Sequence, residues 1–184
     1  MNKAPLPGYV ELVETVADYL RSAISEISLP VAPQDGDETL RLKRPDVYKM
    51  RLPDSHSAKK VVPYIIVKFV TAIDKKAPTK RTESRAVLRL IFAVFGVDEE
   101  EGSMSLLELI DTVRNALLVD TWIDGRFKLD KEAGREALVY EDDTAPYFAG
   151  EMMATFEFAS PERSVNYGFN EEKRYSFDAF ETET

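Results

Sequence analysis

Two long runs of β-branched and aromatic residues constrain the fold of this 184-residue chain more than any other feature of its sequence. Residues 61–73 and 84–95 form these runs, and the ten residues between them include Pro78 and four lysine or arginine side chains. β-Branched and aromatic residues favour strands, and proline favours a turn. The pattern therefore predicts a long β-hairpin with a basic tip.

The second run of this hairpin is apolar on both faces of the predicted sheet. Side chains alternate across a strand. The two alternating sets are Leu88, Leu90, Phe92 and Val94 on one face, and Val87, Ile91, Ala93 and Phe95 on the other. Because one layer of helices covers only one face, we expect the second face to pack against a further element of the same chain or against another subunit.

Helices and further strands are predicted on either side of the hairpin. Apolar residues recur at helical spacing over residues 9–28. Ser105 and Glu108 have the spacing of a capping box, which predicts a second helix over residues 105–119. Short strands are predicted at residues 47–52, 126–129 and 136–140. A longer strand is predicted at residues 151–158, and it is one-sided because its apolar residues alternate: Met152, Ala154, Phe156 and Phe158. Together these patterns predict an α+β fold in which two main helices pack on a mixed or antiparallel sheet.

The chain is predicted to divide into one domain over residues 1–159 and an arm over residues 160–184. The arm shows no periodicity, yet it keeps five aromatic side chains among its charges: Tyr167, Phe169, Tyr175, Phe177 and Phe180. Aromatic residues are enriched at protein interfaces. We therefore expect the arm to dock on a neighbouring subunit or on another protein.

The composition removes the residues that most catalytic sites need. The chain has no cysteine, and its one histidine, His56, lies between two serines; because neighbouring side chains along a chain point apart, these residues are not expected to form a pair of nucleophile and base. The acidic run at residues 98–101 lacks the alternating spacing and the glycine of a calcium loop, and a solvated turn between a strand and a helix explains it equally well. No catalytic, cofactor-binding or metal-binding residue is therefore predicted, and we expect that the protein is not an enzyme.

One pattern leaves an enzymatic alternative open. Pro53-Asp54, followed by Asp74-Lys75-Lys76, resembles the motif spacing of magnesium-dependent nucleases. Such a site needs two carboxylates on the metal and a lysine near the phosphate. Here the second group lies where the predicted strand enters a polar tip, so its side chains are expected to lie apart in solvent.

Charge is distributed unevenly along the chain. The net charge is −9, but residues 41–89 carry 14 basic and 4 acidic side chains. The densest positive cluster is at the predicted hairpin tip, and it comprises Lys75, Lys76, Lys80, Arg81 and Arg85. Without aromatic residues that could stack on bases, such a cluster would contact nucleic acid through phosphates, independently of sequence. No apolar run approaches the roughly 20 residues of a membrane helix, so no membrane partner is expected.

Six segments, taken in order, carry a resemblance to a known family. They are Val47-Tyr48 with Leu52-Pro53, the strand at residues 63–67, residues 90–96 followed by acids, the helix at residues 106–118, Gly125-Arg126-Phe127, and residues 146–152. Together they resemble the tail-completion proteins of long-tailed bacteriophages, in particular the tail terminators that share a fold with the lambda tail terminator. The resemblance covers roughly residues 45–158, and the family offers no motif residue whose role could be transferred.

The resemblance implies a structural virion protein at the head-proximal end of the tail, assembled in the host cytoplasm. It implies a homohexameric ring that caps the tail tube, stops polymerisation of the tube protein and binds the head–tail connector or stopper protein. Viral DNA would pass through the lumen with transient, sequence-independent contacts. A head-to-tail adaptor or stopper, which binds the head connector and not the tail tube, remains the alternative within the same region of the virion.

Overall fold

A computed structural model of the chain describes residues 8–33, 41–53, 61–76, 82–140 and 145–160. Two helices and nine strands lie within these ranges: α1 (Tyr9–Ala23), β1 (Leu29–Pro30), β2 (Leu42–Lys43), β3 (Asp46–Lys49), β4 (Tyr64–Lys76), β5 (Thr82–Phe95), α2 (Glu99–Val119), β6 (Trp122–Ile123), β7 (Phe127–Leu129), β8 (Ala137–Val139) and β9 (Tyr147–Ala159). The predicted α+β fold with two main helices is confirmed.

The strands form one large mixed sheet and one small antiparallel sheet. The large sheet has the order β3-β4-β5-β9-β7-β6, with β8 also paired to β9. Only β3 and β4 run parallel within it. The small sheet pairs β1 with β2. The predicted hairpin is therefore the centre of the sheet, because β5 pairs with β4 over Thr82–Ala93 and with β9 over Glu83–Phe95.

The main core lies between one face of the large sheet and the two helices. Fully buried side chains from the sheet meet fully buried side chains of α1 and α2, among them Leu90, Phe92, Phe156, Leu12 and Leu109. The prediction that the last strand is one-sided is confirmed, since the alternate residues Met152, Ala154, Phe156 and Phe158 are all buried. Burial of this apolar surface is the main force that stabilises the fold.

Each helix differs from the prediction at one end, α1 at its C-terminus and α2 at its N-terminus. Helix α1 ends at Ala23, and the chain turns through a hydrogen bond from the Ile27 amide to the Ile24 carbonyl (3.1 Å), which brings Leu29 into the core. Helix α2 begins at Glu99, six residues before the predicted capping box at Ser105. Asp98 is its N-cap, because the Asp98 carboxylate accepts a hydrogen bond from the Glu101 amide (3.3 Å).

A pair of glycines lets the start of α2 approach the sheet closely. A Cβ atom on Gly102 would lie 2.1 Å from the Phe148 ring of β9, and one on Gly96 would lie 2.4 Å from the Gly102 Cα. Neither contact could accommodate a side chain. The acidic residues at 99–101 therefore form the first turn of a helix that packs on the sheet, and the positive end of the helix dipole stabilises their negative charges.

Candidate functional site

The β4–β5 hairpin is longer than the sequence predicted. Pairing extends from Tyr64 opposite Ala93 to Lys76 opposite Thr82, so only residues 77–81 connect the strands. The prediction of a ten-residue basic tip is therefore wrong in its length, because residues 74–76 belong to β4 and residues 82–83 belong to β5. Residues 77–81 lie outside the described part of the chain.

The base of the hairpin is covered on both faces and along one edge. We define the basal half as residues 64–67 and 90–95. Strand β3 pairs with β4 only at Tyr64–Val67, and a second apolar cluster covers the face opposite the helices. That cluster contains Ala32, Val62, Tyr64, Ile66, Ala93 and Phe95. In this half the second face packs against other elements of the same chain, which was one of the two expected alternatives.

The remainder of the hairpin has an open edge. We define this distal half as residues 68–76 and 82–89. Met50, which follows β3, adopts a left-handed φ of 65°, and the chain turns away from β4 after this residue makes two hydrogen bonds to it. The Met50 amide donates to the Val67 carbonyl (2.8 Å), and its sulfur accepts from the Phe69 amide (3.3 Å). Beyond Phe69, no strand within the described ranges pairs with this edge of β4.

Two large apolar side chains are exposed on this open strand. Val70 is 46% exposed and lies at a break in the pairing register between Phe69 and Thr71, and Ile73 is 50% exposed. An unpaired strand edge presents amide and carbonyl groups that a further strand can bind. Open backbone groups beside exposed apolar side chains are typical of a surface that another chain covers.

The outer face of the distal half carries arginines that are paired with acids. Arg85 contacts Glu157 of β9 (2.7 Å from Nη2 to Oε1) and the buried Asp130 (3.1 Å from Nη2 to Oδ2). The hydrogen bond to Glu157, and then the charge of Asp130, raise the pKa of Arg85. Lys128 of β7 approaches the same Glu157 (3.7 Å from Nζ to Oε2). These contacts join β5, β7 and β9 on the face away from the helices.

A second arginine group lies nearer the base. The Arg89 Nε donates to Glu151 Oε2 (2.7 Å), its Nη2 donates to the Tyr140 hydroxyl (3.2 Å), and the Tyr140 hydroxyl in turn donates to Glu151. Burial acts to raise the pKa of Glu151, but the hydrogen bonds from Tyr140 and Arg89 outweigh burial and hold that pKa below its usual value. Glu151 is thus a charged acceptor shared by two donors.

The predicted basic cluster is only partly brought together. Lys75 is exposed on β4 opposite Glu83, and Lys76 pairs with Thr82 at the end of the strand. Arg85 forms ion pairs with Asp130 and Glu157, so its charge is already paired within the fold. Lys80 and Arg81 lie outside the described residues, as do the arm residues Tyr167, Phe169, Tyr175, Phe177 and Phe180. Contact of this cluster and this arm with partners stays a prediction.

The carboxylate of the nuclease-like pattern has partners within the fold. Asp74 lies in β4, not in a tip, and it accepts hydrogen bonds from the Ser84 hydroxyl and from the Tyr9 hydroxyl (3.5 Å). Asp54 lies outside the described residues. Across the ranges that the structure describes, no group of three or more His, Cys, Asp or Glu side chains is placed to hold a metal ion.

Sequence reasoning identified Arg85 as part of a basic cluster but missed Arg89 and the acidic partners of both arginines. Arg85 and Arg89 share a face with Val87 and Ile91, since all four have the same parity in β5, and this alternation was the available signal. Trp122 lies in strand β6, three residues after the end of α2, and is 57% exposed.

Comparison with known proteins adds no identification. No protein-family model matches the chain, and no curated protein matches it. Neither helix among the described residues is long and apolar enough to span a membrane.

Proposed function

We propose that this protein is a structural subunit of a long-tailed phage virion, a tail terminator that assembles as a ring of six on the head-proximal end of the tail tube. The observation that carries the proposal is the distal half of the hairpin, where no strand of the described ranges pairs with the outer edge of β4 and the side chains of Val70 and Ile73 are exposed beside that edge. The resemblance to tail terminators supplies the kind of assembly.

The open edge of β4 has a length that suits a contact between subunits. Nine residues, from Lys68 to Lys76, lie beyond the pairing with β3, and at about 3.4 Å per residue they extend over roughly 30 Å. A strand or loop of a neighbour along this edge would satisfy backbone groups and cover Val70 and Ile73. If each subunit offers this edge to a different surface of the next, rotation closes the contacts into a ring.

The basic residues near the hairpin tip then have two possible orientations in the ring. Facing the lumen, Lys75, Lys76, Lys80 and Arg81 would guide passing DNA through weak phosphate contacts, which salt screens over about 8 Å. Facing a protein, they would set the rate and orientation of docking. Replacing these four residues with Gln separates the cases: slowed or salt-dependent DNA passage with joined tails indicates the lumen, whereas unjoined or overgrown tails indicate docking.

The proposed function is tested by mixing the purified protein with its cognate tail tube protein and measuring tube length by electron microscopy. We expect a ring at one end of each tube and tubes that stop growing when the protein is added. Binding to the head connector with no effect on tube growth would instead indicate the adaptor or stopper. Tubes of unchanged length together with no connector binding would overturn both.

We also propose that the protein has no catalytic activity, since Asp74 is engaged by two hydroxyl groups of the fold. The test is incubation with plasmid and linear DNA in magnesium or manganese. Intact DNA is expected. Cleavage that is lost in Asp74→Ala would contradict the proposal and return the nuclease alternative.

A further inference from the structure

A groove opens where strands β7 and β9 separate. Their pairing ends at Lys128 opposite Glu157, although β9 continues to Ala159. The groove has a volume of about 470 Å³, within the size range of ligand sites. Its walls include Thr82, Glu83, Trp122, Lys128, Phe158 and Ala159. The indole of Trp122 is the large exposed apolar group among these residues.

The C-terminal arm begins at the wall of this groove. The amide of Ser160 donates to the carbonyl of Thr82 (3.2 Å), so the chain is fixed beside two lining residues, Thr82 and Ala159, at the point where the described part ends. The sequence continues for 24 residues, 161–184. Six residues, 161–166, separate Ser160 from Tyr167, the first aromatic residue of the arm.

This short separation favours binding within one chain. Six residues extend over at most about 20 Å, which is enough to return an aromatic ring to the groove. A tether of this length gives an effective concentration on the order of millimolar, above that of a second copy in dilute solution. The distal aromatic residues, Tyr175, Phe177 and Phe180, have a longer tether and a lower effective concentration.

We propose that Tyr167 and Phe169 occupy this groove in the same chain and pack against Trp122. Aromatic rings pack favourably in offset or edge-to-face pairs, and the lining residues Trp122 and Lys128 bring an aromatic ring and a cationic side chain to the groove. Gly168 between the two rings allows the chain to turn there. The sequence alone predicted docking on another protein, whereas the groove at the root of the arm provides a site on its own chain. This proposal does not depend on the proposed ring.

The test uses the intrinsic fluorescence of Trp122, which is the only tryptophan of the chain. Full-length protein is compared with Tyr167→Ser/Phe169→Ser and with the matched control Tyr175→Ser/Phe177→Ser/Phe180→Ser, with circular dichroism to check the fold. We expect the first variant to emit at longer wavelength and to be quenched by acrylamide about twice as strongly, because an aromatic cover over the indole is lost. The control should behave as the full-length protein does.

Each other outcome overturns the proposal. Equal quenching in all three proteins would show that the groove is empty. If Trp122 becomes exposed in the control but not in the first variant, the distal aromatic residues occupy the groove in place of Tyr167 and Phe169. Dilution from about 100 µM to about 1 µM should leave the protection unchanged, since an intramolecular contact does not depend on concentration; protection lost over that range would show that a second copy with micromolar affinity supplies the arm. None of these readouts uses the tube protein, so their failure is distinct from failure of the terminator function.

Discussion

The basal and distal halves of the β4–β5 hairpin belong to the same two strands, yet they have different surroundings. In the basal half, β3 pairs along the edge and a second apolar cluster covers the outer face. In the distal half, the described residues leave the edge unpaired and the outer face carries ion pairs. The difference locates the surface that a partner would cover on one end of the hairpin.

The comparison also separates the face of the distal half from its edge. On β5, Arg85 and Arg89 are bound to acids and to Tyr140, so that part of the face is complete without a partner. On β4, Val70 and Ile73 are exposed beside open backbone groups. We therefore expect a neighbouring subunit to contact the protein mainly along β4.

The largest effect on the stability of the isolated subunit is expected in the basal half. Phe92 is fully buried in the main core. Phe92→Ala should lower the free energy of unfolding by about 3–5 kcal/mol, because it removes apolar contacts and leaves a cavity. Urea denaturation followed by circular dichroism measures this change. A loss below about 1 kcal/mol, typical of a partly exposed site, would contradict the described packing.

A smaller effect is expected on the outer face. Glu151→Gln should lower the free energy of unfolding by about 1 kcal/mol at pH 7, because the charged acceptor of two hydrogen bonds is lost. The loss is not larger because the side chain of Arg89 is partly exposed and solvent screens the ion pair. The folded pKa of Glu151 is lowered, so its contribution is present above the unfolded pKa of about 4.3 and is lost as pH falls through the folded value. The stability gap between wild type and variant should therefore close on acidification. A gap that is constant from pH 7 to about 3 would contradict this role of the charge.

The smallest effect is expected at the open edge, and two residues of equal exposure make it a matched comparison. Ile73 on β4 and Leu107 on α2 are each 50% exposed. Ile73→Ser and Leu107→Ser should each change subunit stability by no more than about 0.5 kcal/mol, as is usual for exposed sites. Only Ile73→Ser should weaken assembly, which size-exclusion chromatography with light scattering measures. Equal effects of the two variants on assembly would remove the distinction between the edge of β4 and the rest of the surface.

Regular patterns in the sequence predicted the centre of this fold. The alternation of Leu88, Leu90, Phe92 and Val94 identified the buried face of β5, and that of β9 was equally clear. The start of α2 was missed because Asp98 and the acids after it were interpreted as a solvated turn, whereas Gly102 and Phe148 fix that turn of helix on the sheet through a contact between distant residues. The spacing of residues within a short segment does not reveal contacts between residues that are distant in sequence.

The candidate site was predictable only in outline. The apolar outer face of β5 indicated that further cover was needed, but the sequence did not show that Ala32 and Val62 help to supply it for one half alone. The pairing of Arg85 with Asp130 and Glu157 joins residues 45 and 72 positions apart, and only the sheet order brings them together. The resemblance to tail terminators remains a prediction of function.

Native mass spectrometry tests the central claim, that the distal edge of β4 joins subunits. It compares wild type, Val70→Lys/Ile73→Lys and the control Leu107→Lys, each alone and with the tail tube protein. We predict a ring of six for wild type and for the control, and a folded monomer for the β4 variant, because lysines on a strand edge oppose pairing with another chain. A wild-type protein that stays monomeric at high concentration and with the tube protein, or a β4 variant that assembles as wild type does, would contradict the account.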